Sequence, residues 1–317
     1  MNKTSIILDV DTGVDDAFAV LFAAMHPGIN LLGITCVDGN TNVDQVVENT
    51  LKVLDAAGAN EIPVARGAVR PLLGESQYAE YVHGADGMGD LGIAPSHRRV
   101  DSRSAVELLR DLIEGSKDPV TLVPVAPLTN IALFLRAFPE TAKKIHRIVL
   151  MGGSASAGNA TATAEFNIWH DPEAAAIVFQ SGVPITMYGL DVFMRPGITS
   201  KEAARLKSSS DSAPQFAGSL IEAFIERLHT SPVTLGDYGA VACVIHPELF
   251  TTEMFDVVVD TSSGPARGQT ICDRRDAFLK DLEPLALEDS AKVRVVMDLD
   301  VEAVRQLWLT TIEKGRS

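Results

Sequence analysis

The stretch ILDVDTGVDDA places four aspartates, Asp9, Asp11, Asp15 and Asp16, at the end of an apolar run. Carboxylates this close together raise one another's pKa values unless a cation neutralises them. A cluster of oxygen atoms suits a hard ion such as Ca²⁺ or Mg²⁺, whereas zinc prefers histidine and cysteine. The alternative is that Asp15 caps a helix and the other carboxylates are solvated, but a cap requires one such residue, not four. The cluster therefore predicts a divalent-cation site.

The rest of the chain predicts how this cluster is positioned. Short β-branched runs alternate with longer helical patterns, which is typical of βαβ units. We predict an α/β fold, a single domain over residues 1–317, with an open, mostly parallel (mixed), Rossmann-like sheet and helices on both faces. In such a sheet ligands bind beyond the carboxyl ends of the strands, which is where ILDVDTGVDDA leaves the first one. Strands are predicted at residues 5–10, 30–37, 120–126, 147–152, 184–190, 255–260 and 292–299, and helices are predicted to begin near Asp15, Val43, Ser104, Thr129, Asp171, Lys201, Pro214, Asp237 and Val301.

One long segment, residues 66–99, shows neither a strand nor a helix pattern. It is rich in glycine and proline and contains VHGADGMGDLG. Irregular segments of this length inside a domain are usually functional loops or lids. We therefore expect this segment to contribute to the site.

The composition excludes several classes of partner. The net charge is -15, from 42 acidic and 27 basic residues, and no cluster of lysine and arginine stands out. This charge disfavours nucleic acid and anionic membranes. No apolar run is long enough to cross a bilayer, and the first residues lack a signal-peptide pattern. Cys36, Cys243 and Cys272 lie far apart, as expected for reduced thiols, so we predict a cytoplasmic protein.

Several motifs follow the aspartate cluster in order along the chain. Together they resemble the inosine-uridine-type nucleoside hydrolases. The resemblance implies calcium-dependent hydrolysis of the N-glycosidic bond of ribonucleosides to ribose and a free purine or pyrimidine base, by a homodimer or homotetramer. The motifs are DVDTGVDDA at residues 9–17, VDGN at 37–40, VHG at 82–84, APLTN at 126–130, MGG at 151–153, GNATATAEFN at 158–167, DPEAA at 171–175 and DYGAVACVIHPELF at 237–250.

The resemblance also implies roles for individual residues. Asp15 matches the general base that activates water, and Asp9 matches a carboxylate that orients the first loop. A Ca²⁺ ion is expected to be held by Asp11, Asp16, the backbone carbonyl of Thr129 and Asp237. The ribose is expected to contact Asp15, Asn40, Met151, Asn159, Glu165, Asn167 and Asp237.

The chain departs from the family at the position before Asp237. Many members carry a histidine there that can act as an acid on the departing base, whereas this chain has Gly236. His83, Tyr238 and His229 are the candidate replacements. The alternatives are that His83 is a solvated loop residue and that His229 is a surface residue after the preceding helix. Trp169 could instead stack on the base, but packing between the site and the next helix is the simpler interpretation.

Two other functions are compatible with parts of the sequence. Phosphatases of the haloacid dehalogenase type also end their first strand in a DxD pattern, and LGDYG resembles their later acidic motif. That family does not account for Asp15, Asp16 or GNATATAEFN. A nucleoside-binding protein without turnover is the second alternative, suggested by Gly236.

Overall fold

The computed structural model describes residues 3–276 and 287–315, in which strands and helices alternate along most of the chain. The strands are β1 (Thr4–Val10), β2 (Ile29–Cys36), β3 (Val64–Arg66), β4 (Val120–Pro124), β5 (Ile145–Met151), β6 (Ile185–Tyr188), β7 (Gly197–Ile198), β8 (Val233–Thr234), β9 (Phe250–Val259), β10 (Thr270–Cys272) and β11 (Ala291–Leu299). The helices are α1 (Val14–Met25), α2 (Val43–Ala56), α3 (Glu80–His83), α4 (Ala105–Gly115), α5 (Thr129–Ala137), α6 (Pro139–Ala142), α7 (Phe166–His170), α8 (Pro172–Phe179), α9 (Leu190–Phe193), α10 (Ser200–Lys207), α11 (Ser212–Leu228), α12 (Tyr238–Ile245) and α13 (Val301–Lys314).

Nine strands form one sheet in the order β10-β9-β11-β6-β5-β4-β1-β2-β3. The pairs from β11 to β3 are all parallel, whereas β9 pairs antiparallel with both β11 and β10. β1 lies between β2 and β4, so the chain order reverses beside β1 and opens a crevice at the carboxyl ends of these strands. The predicted α/β fold with a mostly parallel, mixed sheet is thereby confirmed.

Helices cover both faces of this sheet. Alternate residues of β1 point to opposite sides: Ile6 and Leu8 pack in the cluster that contains Phe18 and Trp308, whereas Ile7 packs in the cluster that contains Phe134. Burial on both faces explains why the central strands read as continuous apolar runs. This arrangement leaves the strand ends as the place where polar side chains can gather.

All seven predicted strands are present, with boundaries shifted by a few residues. The predicted helix starts also hold. For example, the Asp171 side chain accepts a hydrogen bond from the amide of Ala174, with Pro172 in the first turn. The unpredicted elements, such as β7 and α3, contain two to five residues. Elements this short contain little more than one period of either pattern, so there is no repetition by which sequence periodicity could reveal them.

The segment 66–99 is tied to the sheet at several points. The Asn130 amide oxygen accepts from the backbone N–H of Ala68, and a carboxylate oxygen of Asp171 accepts from that of Leu72. α3 lies in this segment, which therefore forms an anchored wall beside the carboxyl ends of β1 and β2. Within the described residues, no helix is long and apolar enough to span a membrane, and the three cysteines are free.

Candidate active site

A cavity opens at the carboxyl ends of β1, β2, β4 and β5. Asp11 follows β1, Asn40 follows β2, Val125 follows β4, and Met151 is the last residue of β5. All four residues line the cavity. Residues from distant parts of the chain converge here because parallel strands end at the same edge of the sheet.

The first loop holds its carboxylates through backbone contacts. Asp16, in the first turn of α1, accepts hydrogen bonds from the N–H groups of Gly13 at 2.8 Å and Asp11 at 3.2 Å. Asp11 accepts from the backbone N–H of Asn40 at 2.7 Å, and the Asn40 side chain donates to Asp16 at 3.1 Å. A Cβ on Gly39 would lie 2.1 Å from an Asp11 carboxylate oxygen, so only glycine permits this approach.

Three carboxylates form a compact group of possible cation ligands. One oxygen atom from each of Asp15, Asp16 and Asp237 lies within 4.8 Å of the others. Ca²⁺–oxygen distances are about 2.3–2.6 Å, so two ligand oxygens on opposite sides of one ion are about 5 Å apart. The spacing and the all-oxygen chemistry therefore fit a calcium ion, with Asp11 beside Asp16 as a further carboxylate.

The charges in this group are poorly compensated by protein atoms. Burial, followed by repulsion from Asp15, raises the pKa of Asp16 to about 7. Burial and then repulsion from Asp15 also raise the pKa of Asp237, and burial and then Asp16 raise that of Asp11. In residues 3–276 and 287–315, no side chain or backbone N–H donates to the Asp237 carboxylate. A bound divalent cation would relieve this repulsion, which supports the predicted metal site.

Polar residues on the opposite side of the cavity are fixed by backbone contacts. Glu165 accepts hydrogen bonds from the N–H groups of Gly153 at 2.9 Å and Asn167 at 2.9 Å. Burial raises the pKa of Glu165 to about 7 despite these contacts. The Asn167 amide donates to the carbonyls of Val125 at 3.1 Å and Met151 at 3.2 Å, which leaves its own oxygen available to a ligand.

Glu165 and Asn167 have the two-residue spacing that predicts one face of a strand, and this prediction is wrong. Glu165 is the N-cap of α7 and Asn167 lies in the first turn of that helix, so the two side chains are brought together by a cap and not by strand alternation. Both still line the cavity. Asn159 lines it as well, and its side-chain oxygen accepts from the N–H of Phe166 at 2.9 Å.

His83 projects from α3 into the cavity beside the carboxylates. Its Nδ1 atom accepts a hydrogen bond from the Val14 N–H at 3.2 Å and lies 3.8 Å from an Asp15 oxygen. The ring stacks on Phe224, with centroids 5.9 Å apart. Burial lowers the pKa of His83, so the neutral form of the ring is favoured.

Apolar residues also line the cavity and form an apolar wall beside its polar groups. Two of its members are largely exposed to solvent, Tyr81 at 71% and Met194 at 68%. An apolar slot beside a polar pocket matches the shape of a nucleoside, which joins a flat base to a sugar rich in hydroxyls. The wall consists of Ala79, Tyr81, Val82, Ala160, Phe166, Phe193, Met194, Phe224 and Leu228, and sequence patterns did not identify it.

Two predicted site residues lie elsewhere. Thr129 begins α5, and its hydroxyl donates a hydrogen bond of 2.7 Å to Asp171. Val125, which follows β4, does line the cavity, and its carbonyl accepts a hydrogen bond from the Asn167 amide. Tyr238 is buried in the core, where its hydroxyl donates to the Val304 carbonyl at 2.8 Å. Neither Thr129 nor Tyr238 lines the cavity.

The remaining candidates have structural positions. Asp9 lies in β1, outside the cavity lining, and accepts hydrogen bonds from Thr35 at 2.5 Å and Asn130 at 2.8 Å, so its role in orienting the first loop stays a prediction. His229 is exposed at the end of α11 and does not line the cavity. Trp169 packs near Phe166, outside the lining.

Gly236 adopts a conformation that accounts for its missing side chain. Its φ is +51°, and a Cβ there would lie 2.8 Å from Asp15 Cβ and 2.8 Å from Phe193 Cζ. Any side chain at this position would therefore disturb both a carboxylate and the apolar wall. The structure leaves no room for the histidine that many family members carry.

Comparisons with known proteins agree with this architecture. The model of the family described as inosine-uridine preferring nucleoside hydrolase matches residues 6–306. Two similar curated proteins are the pyrimidine-specific ribonucleoside hydrolases RihA of Shewanella sp. (strain MR-7) and RihB of Escherichia coli (strain SE11). RihA is 41% identical over 85% of this chain and 86% of its own, and RihB is 37% identical over 95% of each.

Among solved structures, a purine-preferring ribonucleoside hydrolase from Gardnerella vaginalis has a TM-score of 0.88 and 34% identity over 98% of both chains. An inosine-guanosine nucleoside hydrolase has a TM-score of 0.88 and 30% identity, again over 98% of both. These findings favour the nucleoside hydrolase interpretation over the phosphatase alternative. The chain is an N-glycosyl hydrolase and belongs to the inosine-uridine preferring nucleoside hydrolase family.

Proposed function

We propose that this enzyme hydrolyses ribonucleosides in a calcium-dependent reaction, with pyrimidine ribonucleosides as its substrates. The observation that carries the metal requirement is the group of carboxylates Asp15, Asp16 and Asp237, of which Asp16 and Asp237 are buried. One oxygen of each lies within 4.8 Å of the others, without a cationic partner among the described side chains. We assign the ion to Asp11, Asp16, Asp237 and the carbonyl of Val125. Val125 replaces Thr129 in this assignment because it lines the cavity.

The same carboxylates serve binding and catalysis. As the glycosidic bond breaks, positive charge develops on the anomeric carbon and ring oxygen of the ribose, and a negative pocket stabilises that charge. When bound, calcium lowers the pKa of a neighbouring water and holds ribose hydroxyls. Asp15, which faces the cavity, accepts the proton from the attacking water.

The ribose is held by hydrogen bonds from several sides. Asn40 and Asn167 are fixed by their contacts to Asp16 and to the Val125 and Met151 carbonyls, so their positions are set before the substrate arrives. A site built around a hydroxyl rejects a substrate that lacks it, because its buried polar groups are then left unpaired. We therefore expect ribosides to be preferred over 2′-deoxyribosides.

The choice of base is supported by relatives. RihA and RihB, named as pyrimidine-specific, are 41% and 37% identical to this chain, whereas the purine-preferring structure is 34% identical. We also propose a cytoplasmic homodimer or homotetramer, as the family resemblance implies. Light scattering of the purified protein gives its mass directly, and a monomer would overturn the assembly.

The central experiment measures ribose release from uridine, cytidine, inosine, guanosine, adenosine and 2′-deoxyuridine, each with calcium and with chelator. We expect release from uridine and cytidine that chelator abolishes and calcium restores. Activity insensitive to chelator would exclude the metal, and comparable turnover of uridine and 2′-deoxyuridine would exclude the ribose contacts. Tight nucleoside binding without ribose release would indicate a binding protein instead.

A further inference from the structure

The departing base requires a partner that position 236 does not supply. A pyrimidine or purine leaves with the electron pair of the C–N bond, so negative charge develops on its ring. Gly236 has no side chain, and the Tyr238 hydroxyl donates its hydrogen bond to the Val304 carbonyl in the core. Among the candidates for activating the base, His83 is the titratable side chain that lines the cavity near the apolar wall.

The ring of His83 is held in one orientation. A Cβ on Gly13 would lie 2.7 Å from Nδ1, so the backbone of the first loop packs directly against that edge of the ring. Phe224 stacks on the ring face with an interplanar angle of 19°. The Val14 N–H donates to Nδ1 at 3.2 Å. These contacts leave the Nε2 edge for the cavity.

The Val14 contact also decides which nitrogen carries the proton. A backbone N–H can only donate, so the Nδ1 atom that it contacts must be an acceptor without a proton. The proton of the neutral ring therefore lies on Nε2. Nε2 has no hydrogen-bond partner among residues 3–276 and 287–315, so its N–H is available to a ligand.

We infer that His83 activates the departing base as a neutral hydrogen-bond donor through Nε2–H, and not as a general acid. The inference rests on the proposed function. The acceptor is the atom bonded to the carbon next to the glycosidic nitrogen, which is O2 in a pyrimidine and N3 in a purine. A doubly protonated ring would give up the Val14 contact, because both nitrogens would then be donors.

The steps balance without a proton from His83. The C–N bond breaks, its electron pair stays on the base, and a water oxygen bonds to the anomeric carbon while its proton passes to Asp15. The base leaves as an anion stabilised by the Nε2–H contact and is protonated by solvent, and Asp15 returns its proton to solvent. Solvent water is the co-reactant.

Three variants separate the possible roles of His83. In His83→Gln the amide NH₂ reaches the position of Nε2, whereas in His83→Asn the amide oxygen replaces Nδ1 toward Val14 and nothing replaces Nε2. His83→Ala removes both. Because one preorganised donor is worth about 10²- to 10³-fold in kcat, we expect that loss on uridine for the Asn and Ala variants and a loss within about tenfold for the Gln variant.

A nitrophenyl riboside provides the matched substrate, since its leaving group is a weak base that needs no activation. We expect all three variants to hydrolyse it within about tenfold of the parent, which also shows that they fold and retain the rest of the site. Gln and Ala variants equally impaired on uridine would overturn the inference in favour of proton donation. If the Asn variant were active and the Gln variant inactive, the role of His83 would be to accept the Val14 hydrogen bond, and the inference would be wrong.

The tautomer can be measured without turnover. Nitrogen-15 NMR of histidine-labelled, calcium-loaded enzyme should show the His83 proton on Nε2, and a proton on Nδ1 would overturn the inference. If the parent enzyme released no ribose from any nucleoside, the proposed function would fail, while this measurement would still report on His83.

Discussion

Gly236 offers a direct test of how tightly the site is packed. In Gly236→Ala, the left-handed conformation at φ +51° destabilises the folded state by about 1–2 kcal/mol. The added Cβ lies 2.8 Å from Asp15 Cβ and 2.8 Å from Phe193 Cζ, and overpacking of this kind costs about 1–3 kcal/mol more. We therefore expect a total loss of about 2–5 kcal/mol, which a typical stability of about 5–15 kcal/mol tolerates.

Gly58→Ala is the matched control. Gly58 has φ +64°, but a Cβ there has no heavy atom within 4 Å. This variant therefore carries the backbone penalty of about 1–2 kcal/mol without the steric one. The difference between the two variants measures the contact with Asp15 and Phe193.

Urea unfolding at a fixed calcium concentration gives both free energies of unfolding, and ribose release from uridine gives kcat. A shift of Asp15 by about 1 Å can reduce the rate by about 10²-fold, so kcat should fall in Gly236→Ala and remain unchanged in Gly58→Ala. Gly236→His should not increase turnover. Equal destabilisation of the two alanine variants, or a gain of activity in Gly236→His, would refute the steric argument.

The remaining predictions concern the carboxylates and Tyr238. Asp15→Asn should lower kcat by about 10²- to 10⁴-fold with an unchanged circular dichroism spectrum, and substantial residual turnover would remove Asp15 as the base. Burial raises the pKa values of Asp16 and Glu165 to about 7. The metal-free native state therefore binds protons more tightly than the unfolded chain. Its free energy of unfolding should fall as the pH rises from about 4.5 to 7. Calcium should therefore raise the unfolding temperature more at pH 7.5 than at pH 5.5, and equal shifts in a thermal scan would contradict this. Tyr238→Phe should lower the free energy of unfolding in urea by about 0.5–1.5 kcal/mol, because the hydrogen bond to Val304 is lost. Its kcat should stay within twofold of the parent, and a tenfold fall in kcat would indicate that Tyr238 acts in the active site.

Much of the fold was predictable because its signals are local. The central strands are buried on both faces and appear as apolar runs, and caps such as Asp171 are read within four residues. The missed elements contain too few residues for a strand or helix pattern to repeat. The single domain over residues 1–317, the oligomeric state and the cellular location stay predictions.

The candidate site also has some features that were predictable from sequence and others that were not. The aspartates of the first loop lie close together in the chain, so their proximity and the prediction of a cation site follow from sequence alone. Glu165 and Asn167 entered through the family resemblance. Their two-residue spacing would suit a strand, whereas a helix cap brings them together, so a motif does not specify the local geometry. Val125 was missed because the group that we propose it contributes is a backbone carbonyl, which every residue possesses.

The sequence by itself determined the α/β architecture, the acidic first loop and the family, because each depends on residue types and short spacings. Only the tertiary structure showed that Val125 lines the cavity and Thr129 does not, that Gly236 has no room for a side chain, and that Nδ1 of His83 accepts from Val14. The last two groups are 69 residues apart in the chain. Such contacts depend on how the segments pack across the strand ends, and no local pattern records that packing.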